Sequence, residues 1–250
     1  MDALRGQEIH GEGTPESAWL GAPAIAAMPT VTVEALLGAS QRLVVVAPHP
    51  DDEILGCGGL LAAACEMGHE VLLISLTDGE GAYPTDPAWP PARLAPARRQ
   101  ELVSAAGRLG ATPRNVVHAG FDDGRLRDHE RQVQDWLHAR LRPGDLVCVT
   151  WHRDGHPDHE AAAEAALAAA GARGLPVLQY PIWAWHWGDP DVFQGRATRL
   201  ELAPSWQARK RAAIDCFATQ LGTSTPPPAA PILPPHVTAR FQRTFEVFLP

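Results

Sequence analysis

Residues 43–53 decide the fold and read Leu-Val-Val-Val-Ala-Pro-His-Pro-Asp-Asp-Glu. The apolar, largely β-branched run at 43–47 is typical of a strand that is covered on both faces of a sheet. The acidic residues at 51–53 suit the first turn of a helix, and apolar residues then recur at helical spacing until Gly68. This stretch therefore predicts a central parallel strand that leads directly into a helix.

The same strand–helix unit recurs along the chain. Apolar runs predict further strands at 70–76, 114–119, 145–151 and 176–182, and helices at about 96–109, 129–141 and 159–170. Such alternation requires crossover connections between parallel strands. We therefore expect an α/β fold, namely a Rossmann-like, doubly wound and mostly parallel sheet with helices on both faces.

The glycines after the first strand disfavour a dinucleotide site. Gly56, Gly58 and Gly59 do not form G-x-G-x-x-G directly after the strand, and they follow an acidic turn. Negative side chains at this place would repel a pyrophosphate. A nicotinamide-dependent oxidoreductase is therefore a disfavoured interpretation.

Composition divides the chain into three parts. Residues 1–40 show little periodicity and are interpreted as an N-terminal extension, and residues 41–221 hold the predicted α/β domain. Helical spacing over 206–220 ends at a run of prolines. Residues 222–250 are therefore predicted to be a proline-rich loop and a C-terminal segment that complete the same domain.

Overall composition limits the classes of partner. Hydrophobic residues make up 45% of the 250 residues, and the formal net charge of −8 offers no positive field to attract nucleic acid. No segment reaches the length and apolarity of a membrane span, and the N-terminus lacks the pattern of a signal peptide. The four cysteines form no C-x-x-C pair. We therefore expect a cytoplasmic protein that binds neither nucleic acid nor membrane.

Two polar clusters directly follow predicted strands. Residues 48–53 read Pro-His-Pro-Asp-Asp-Glu, and residues 152–159 read His-Arg-Asp-Gly-His-Pro-Asp-His. The carboxyl ends of parallel strands share one crevice, so the two clusters are expected to meet there. Imidazole and carboxylate groups together suit zinc or a similar first-row cation, with a coordination position left for water. One of the consecutive aspartates can bind the metal while the other faces the water, and a helix N-cap is the alternative role for either.

These residues resemble the PIG-L (LmbE-like) zinc-dependent N-deacetylases. The resemblance covers residues 41–221 and rests on two specific motifs, His49-Pro50-Asp51-Asp52-Glu53 with the glycines that follow it and His156-Pro157-Asp158-His159. Looser matches are Arg98-Arg99-Gln100-Glu101, Phe121-Asp122-Asp123-Gly124-Arg125-Leu126 and Lys210-Arg211-Ala212-Ala213-Ile214.

The resemblance implies a role for each motif residue. It implies one Zn²⁺ per chain, or another divalent first-row metal, with His49, Asp52 and His159 as ligands. It also implies that Asp51 is the general base for the zinc-activated water. His156 would donate a proton to the departing amine and help to stabilise the oxyanion, and Asp158 would hold His156 in place.

The resemblance also bears on substrate contacts. The resemblance implies that Arg98 and Asp123 contact polar groups of the substrate, although Arg98 could equally be a surface residue paired with Glu101. Some family members carry a tyrosine where this chain has Asp154, so either His156 and zinc stabilise the oxyanion alone or Asp154 binds substrate. His152 is a rival metal ligand.

The segment 183–187 contains three alternating tryptophans. On an extended chain Trp183, Trp185 and Trp187 would line one face, which could stack on a sugar ring or hold an acyl chain. We expect Trp185 to reach the substrate, and core packing is the alternative for these side chains.

The predicted function is hydrolysis of an N-acyl group, most often N-acetyl, from a glucosamine-type sugar or glycoconjugate. Its partner would therefore be a small amino-sugar molecule. An amidase on a thiol conjugate or on a natural-product glycoside is an alternative within the same chemistry. A non-catalytic metal-binding recognition module is an alternative from another class, and Asp51 argues against it because a structural site needs no free carboxylate.

Overall fold

A computed structural model describes residues 11–250 of the chain, so residues 1–10 of the predicted extension lie outside the described part. The strands are β1 (Thr30–Val31), β2 (Arg42–Ala47), β3 (Glu70–Thr77), β4 (Val116–Phe121), β5 (Asp145–Thr150), β6 (Val177–Tyr180), β7 (Thr198–Glu201) and β8 (Phe245–Phe248). The helices are α1 (Glu16–Leu20), α2 (Pro23–Ala26), α3 (Val33–Leu37), α4 (Asp52–Glu66), α5 (Pro91–Leu109), α6 (Glu130–His138), α7 (Pro157–Gly171), α8 (Ala184–Trp187), α9 (Pro204–Ile214), α10 (Ala218–Leu221) and α11 (Pro235–Thr238).

A parallel sheet of five strands in the order β4-β3-β2-β5-β6 forms the centre of the fold. β2 is fully buried and pairs in parallel with β3 on one side and with β5 on the other. The strand order reverses between β2 and β5, and ligands of open α/β sheets bind at the carboxyl ends of the strands at such a point. The structure thus confirms the predicted fold class and places both polar clusters at one crevice.

Both faces of this sheet are covered by helices. Alternate β2 side chains point to opposite faces, with Leu43 and Val45 in the core beneath α4 and α5, and Val44 and Val46 in the core beneath α6 and α7. α9 packs on α4 and α5 and extends the helical layer that these two helices form on one face of the sheet. The continuous apolar run at 43–47 is therefore explained by burial on both faces.

Two predicted helices have different boundaries in the structure. α5 begins at Pro91, which is its first helical residue, and Pro96 lies inside the helix instead of starting it. The prediction was wrong here because a proline early in a helix loses only one backbone hydrogen bond, which the rest of a long helix tolerates. The predicted helix at 206–220 is two helices, α9 and α10, separated by residues 215–217.

A second, small sheet was not predicted. It has the order β1-β7-β8, with β1 parallel to β7 and β7 antiparallel to β8. Strands of two to four residues leave no periodic signal in a sequence. Within the predicted N-terminal extension, Trp19, Ile25 and Val33 are buried in the main core.

The segment after α10 is a loop, as its prolines predict, because residues 222–234 contain no helix or strand. Trp89 donates to the carbonyl of Pro226 at 3.1 Å, so the loop packs against the residues that precede α5. Within residues 11–250, no helix is long and apolar enough to cross a membrane.

Candidate metal centre and active site

The two predicted metal-ligand motifs meet at the carboxyl edge of the sheet. His49 lies just beyond the end of β2, and Asp52 is the first residue of α4. His159 lies in the first turn of α7, which follows β5, and its backbone carbonyl accepts a hydrogen bond from Thr150 at 3.0 Å. The pairing of β2 with β5 therefore brings together residues that are distant in sequence.

Nδ1 of His49, Oδ2 of Asp52 and Nε2 of His159 form a nearly equilateral triangle. Oδ2 lies 3.2 Å from the His49 nitrogen and 3.3 Å from the His159 nitrogen, and the two nitrogens are 3.3 Å apart. Ligand atoms bound at 2.0–2.1 Å in a tetrahedron lie about 3.3 Å from one another. The triangle therefore matches three corners of a tetrahedral site for a divalent metal and leaves the fourth corner for water or substrate.

Asp154 fixes the orientation of His159. Its Oδ2 lies 2.8 Å from Nδ1 of His159, and both side chains are fully buried. The same carboxylate accepts from the backbone N–H groups of Ile182, Trp183 and Ala184 at 2.8–3.0 Å. Because Asp154 accepts a hydrogen bond from Nδ1–H, the lone pair of His159 lies on Nε2 and points into the triangle. Asp154 is therefore a positioning residue for a metal ligand, a role that the sequence left open.

His49 is oriented in the same way by two other carboxylates. Its Nε2 lies 3.1 Å from Asp123 and 3.4 Å from Asp158, so the ring donates from Nε2 and its lone pair on Nδ1 faces the triangle. Burial lowers the pKa of His49, but Asp123, Asp158 and Asp52 outweigh it and raise this pKa well above its usual value, so a metal ion bound by Nδ1 would displace a proton from it. His49, Asp123 and Asp158 also form a second possible metal-binding group, which shares His49 with the first. The proximity of these side chains is explained by the hydrogen bond that His49 donates to Asp123.

Asp51 lies beside the triangle but outside it. Its side chain makes no capping bond to α4 and instead accepts a hydrogen bond from Arg98 at 2.9 Å. Burial raises the pKa of Asp51 to about 7, while the charge of Arg98 acts in the opposite direction. A carboxylate with this pKa is suited to general-base work near neutral pH.

Arg98 is buried, and its guanidinium group forms hydrogen bonds with residues around the candidate active site. Besides Asp51, it donates to the backbone carbonyls of Gly79 at 2.9 Å and Pro50 at 3.2 Å. It is neither paired with Glu101 nor exposed on the surface: Glu101 accepts from Thr219. The structure thus places Arg98 against Asp51 and Asp123 against His49, although both are expected to contact substrate.

His156 borders the ligand triangle, with its ring 4.6 Å from that of His159 and 5.1 Å from that of His49. The backbone N–H of Asp158 donates to Nδ1 of His156 at 3.2 Å, so a neutral His156 carries its proton on Nε2. Burial and the neighbouring His159 and His49 lower the pKa of His156 to about 3. The imidazole is therefore a neutral donor from Nε2.

The contact between Asp158 and His156 differs from the expected one. The Asp158 carboxylate accepts from the backbone of Gly124 at 2.7 Å and Leu126 at 3.1 Å, and its backbone holds His156. The carboxylate thus faces the residues that follow β4 and Nε2 of His49.

Two other predicted residues do not join the cluster. His152 bonds to Gln179 at 2.8 Å and is not a member of either possible metal-binding group among the described residues. Trp185 is 5% exposed and packs edge-to-face on Trp19, with ring centres 4.8 Å apart. The predicted extended wall of three tryptophans is wrong, since α8 is a helical turn and its side chains point in different directions.

A parallel sheet with this convergent cluster at its switch point defines an α/β enzyme with a candidate divalent-metal centre. The family model of PIG-L, described as GlcNAc-PI de-N-acetylase, matches residues 44–170, half of the chain. The chain therefore belongs to the PIG-L family, as its two motifs predict, and is a hydrolase of the deacetylase class.

Curated relatives and solved structures agree with this assignment. The chain is 29% identical over 218 residues to 1D-myo-inositol 2-acetamido-2-deoxy-alpha-D-glucopyranoside deacetylase of Tsukamurella paurometabola, covering 70% of this chain and 73% of that protein. It is 34% identical over 156 residues to 2'-N-acetylparomamine deacetylase of Streptomyces fradiae, covering 56% of each. The zinc-inhibited form of a teicoplanin deacetylase shares the fold, with a TM-score of 0.65 at 21% identity over 84% of this chain and 97% of that one.

Proposed function

We propose that this chain is a zinc-dependent N-deacetylase that removes the acetyl group from the 2-acetamido group of a glucosamine-type sugar. The observation that carries the proposal is the position of the Asp51 carboxylate, which lies beside the triangle of three ligand atoms without belonging to it. A purely structural metal site needs no further carboxylate beside its ligands. Family membership and the names of the curated relatives support the same reaction class.

His49, Asp52 and His159 would hold the zinc ion. Two imidazoles and one carboxylate are a common ligand set of catalytic zinc, and the ligand spacing fits tetrahedral coordination. When bound, the ion supplies Lewis-acid polarisation of the substrate carbonyl and of water. The same ligands accept other first-row divalent cations, so metal content needs direct measurement.

Asp51 would carry the proton transfers, and His156 would stabilise the oxyanion. Asp51 takes a proton from the attacking water, and Arg98 keeps the carboxylate oriented for that task through its hydrogen bond. The water oxygen forms a bond to the carbonyl carbon, the carbon–nitrogen bond breaks, and the nitrogen leaves as an amine after gaining a proton. His156 donates a hydrogen bond from Nε2 to the developing oxyanion, and Asp51 passes the proton that it took from the water to the departing amine.

The decisive experiment is a measurement of acetate release from a panel of N-acetylated compounds. The panel contains an inositol glycoside of N-acetylglucosamine, an N-acetylated aminoglycoside, diacetylchitobiose and an N-acetylated thiol conjugate, each with and without a chelator. We expect release from the amino sugars, loss of release with chelator and recovery with zinc. Binding of the sugars without hydrolysis of any compound would instead identify a recognition module.

Two variants test the division of roles. Asp51→Asn is expected to keep its zinc and to lower kcat by about 10²- to 10⁴-fold, because only the general base is lost. Asp122→Asn is the matched control, since the Asp122 side chain is 62% exposed and lies outside the cluster. Loss of zinc in Asp51→Asn would show that Asp51 is a metal ligand and would contradict the assignment.

A cytoplasmic location stays a prediction from the sequence.

A further inference from the structure

Trp187 is the only one of the eight tryptophans that is exposed, and all eight lie within the described residues 11–250. Its side chain is 40% exposed and lies at the last residue of α8. A single exposed apolar side chain needs no special explanation by itself. The Trp187 ring is functionally relevant because of its position relative to the candidate active site.

The Trp187 ring packs directly against Gly155. A Cβ atom at Gly155 would lie 3.1 Å from Cδ1 of Trp187, so a side chain there would press on the indole ring, and the φ of +80° also favours glycine. The next residue is His156, whose ring borders His49 and His159. Trp187 therefore packs on the loop that carries His156.

The ring is held rigidly. It packs edge-to-face on His186, with ring centres 4.3 Å apart, and is tilted against Trp183 at 6.4 Å. The first residues of this turn donate backbone hydrogen bonds to Asp154, and the same carboxylate orients His159. One buried side chain thus fixes both a metal ligand and the segment that carries Trp187, which leaves little conformational entropy to lose on binding.

We propose that the exposed face of Trp187 packs on the pyranose ring that carries the amide and thereby selects substrates whose amine is borne by a sugar. This inference rests on the proposed function. In the hydrolysis the carbon–nitrogen bond breaks and the nitrogen leaves with the sugar, while His156 donates a hydrogen bond to the oxyanion on the same carbon. The sugar attached to that nitrogen is therefore within reach of the loop that carries His156, and Trp187 packs on that loop. A pyranose presents a flat face of C–H groups, which suits the face of an indole ring.

The kinetic test compares Trp187→Ala and Trp187→Phe on two substrates. The first is methyl 2-acetamido-2-deoxyglucoside, and the second is N-acetylethanolamine, which has the same amide without a ring. Trp187→Ala is expected to raise KM for the glycoside on the order of tenfold, with kcat nearly unchanged, because the contact is equal in ground and transition states. Trp187→Phe should recover most of the affinity, and KM for N-acetylethanolamine should not change.

Met67→Ala is the matched control for loss of an exposed apolar side chain, since Met67 is 43% exposed and follows α4 at its end remote from Asp52. It should leave both substrates unaffected. An unchanged KM for the glycoside in Trp187→Ala, or an equal rise for both substrates, overturns the proposal.

A binding measurement separates this proposal from the reaction itself. Titration calorimetry of methyl glucosaminide, the amine product, into the zinc-loaded protein should show weaker binding in Trp187→Ala by a similar factor. If the wild type hydrolyses no N-acetylated sugar, the proposed function fails, and this titration still decides the role of Trp187. Equal affinity in the wild type and Trp187→Ala, or no sugar binding by the wild type, refutes the contact.

Discussion

Oδ2 of Asp154 lies 2.8 Å from Nδ1 of His159, and no part of either side chain reaches solvent. The pair fixes which nitrogen of His159 carries the lone pair, because Nδ1 must donate to the carboxylate. Three backbone N–H groups from residues 182–184 hold the carboxylate in turn. The geometry of the candidate metal centre therefore depends on a residue that binds no metal.

Replacing Asp154 should weaken metal binding. In Asp154→Asn an amide replaces the carboxylate that accepts the hydrogen bond from Nδ1 of His159. We therefore expect the zinc affinity to fall about 10- to 100-fold, as is typical for residues that support a metal ligand. Competition with a chromophoric chelator measures this affinity, and circular dichroism checks that the variant is folded. Asp122→Asn, at an exposed aspartate, should keep the wild-type affinity. A folded Asp154→Asn protein with unchanged zinc affinity would contradict the positioning role.

Arg98 is expected to act on the reaction through Asp51. Arg98→Lys keeps the positive charge but loses the planar group that bonds to Asp51, Gly79 and Pro50 together. We expect kcat to fall about 10- to 100-fold through misplacement of the Asp51 carboxylate, with zinc content unchanged. Arg99→Lys is the control, because Arg99 is half-exposed and pairs with Asp78. If Arg98→Lys changes KM and leaves kcat alone, Arg98 contacts the substrate instead.

Truncation of Trp185 should cost much more stability than truncation of Trp187. Trp185 packs against Trp19, Phe193 and the guanidinium of Arg243 in the core. Trp185→Ala is therefore expected to lower the free energy of unfolding by about 3 to 5 kcal/mol. Trp187→Ala should lower it by less than about 1 kcal/mol, since the side chain is partly in water. Urea unfolding of both variants measures the difference, and equal losses would place both rings in the same environment.

His118 on β4 should make the stability of the protein depend on pH. Burial and the charge of Arg99 lower its pKa, Asp78 opposes them, and neither ring nitrogen has a hydrogen-bond partner among the described residues. The unfolded chain therefore binds a proton more readily than the folded protein. The contribution of His118 to stability is fully present above the unfolded pKa of about 6.5 and is lost as the pH falls from there through the lower folded pKa.

Unfolding of His118→Gln in a fixed concentration of chelator isolates this contribution. Between about pH 8 and pH 5 the variant should lose less stability than the wild type, because glutamine does not titrate. His236→Gln, at an exposed histidine, should follow the wild-type curve. Parallel curves for the wild type and His118→Gln would show that His118 has the same pKa in both states.

Several features that position the site were decided only by the tertiary structure. The pairing of Arg98 with Asp51 requires α5 to lie beside the turn that precedes α4, and no local pattern near residue 98 encodes that contact. The role of Asp154 depends on backbone N–H groups that belong to another segment of the chain. The spacing of Trp183, Trp185 and Trp187 suits an extended chain, yet packing made this segment a helical turn.

The sequence by itself determined the parallel sheet and the meeting of the two histidine motifs. The run at 43–47 is apolar on both of its faces, and only a strand covered on both sides accommodates such a run. Each motif directly follows a strand, so the crossover rule alone brings His49, Asp52 and His159 to one edge. Local motifs and periodicity fix such features because their physical cause lies within a few neighbouring residues. The tautomers of the histidines, the residues that orient the metal ligands and the general base, and the exposure of side chains all depend on groups distant in sequence. Only the packed structure brings those groups together.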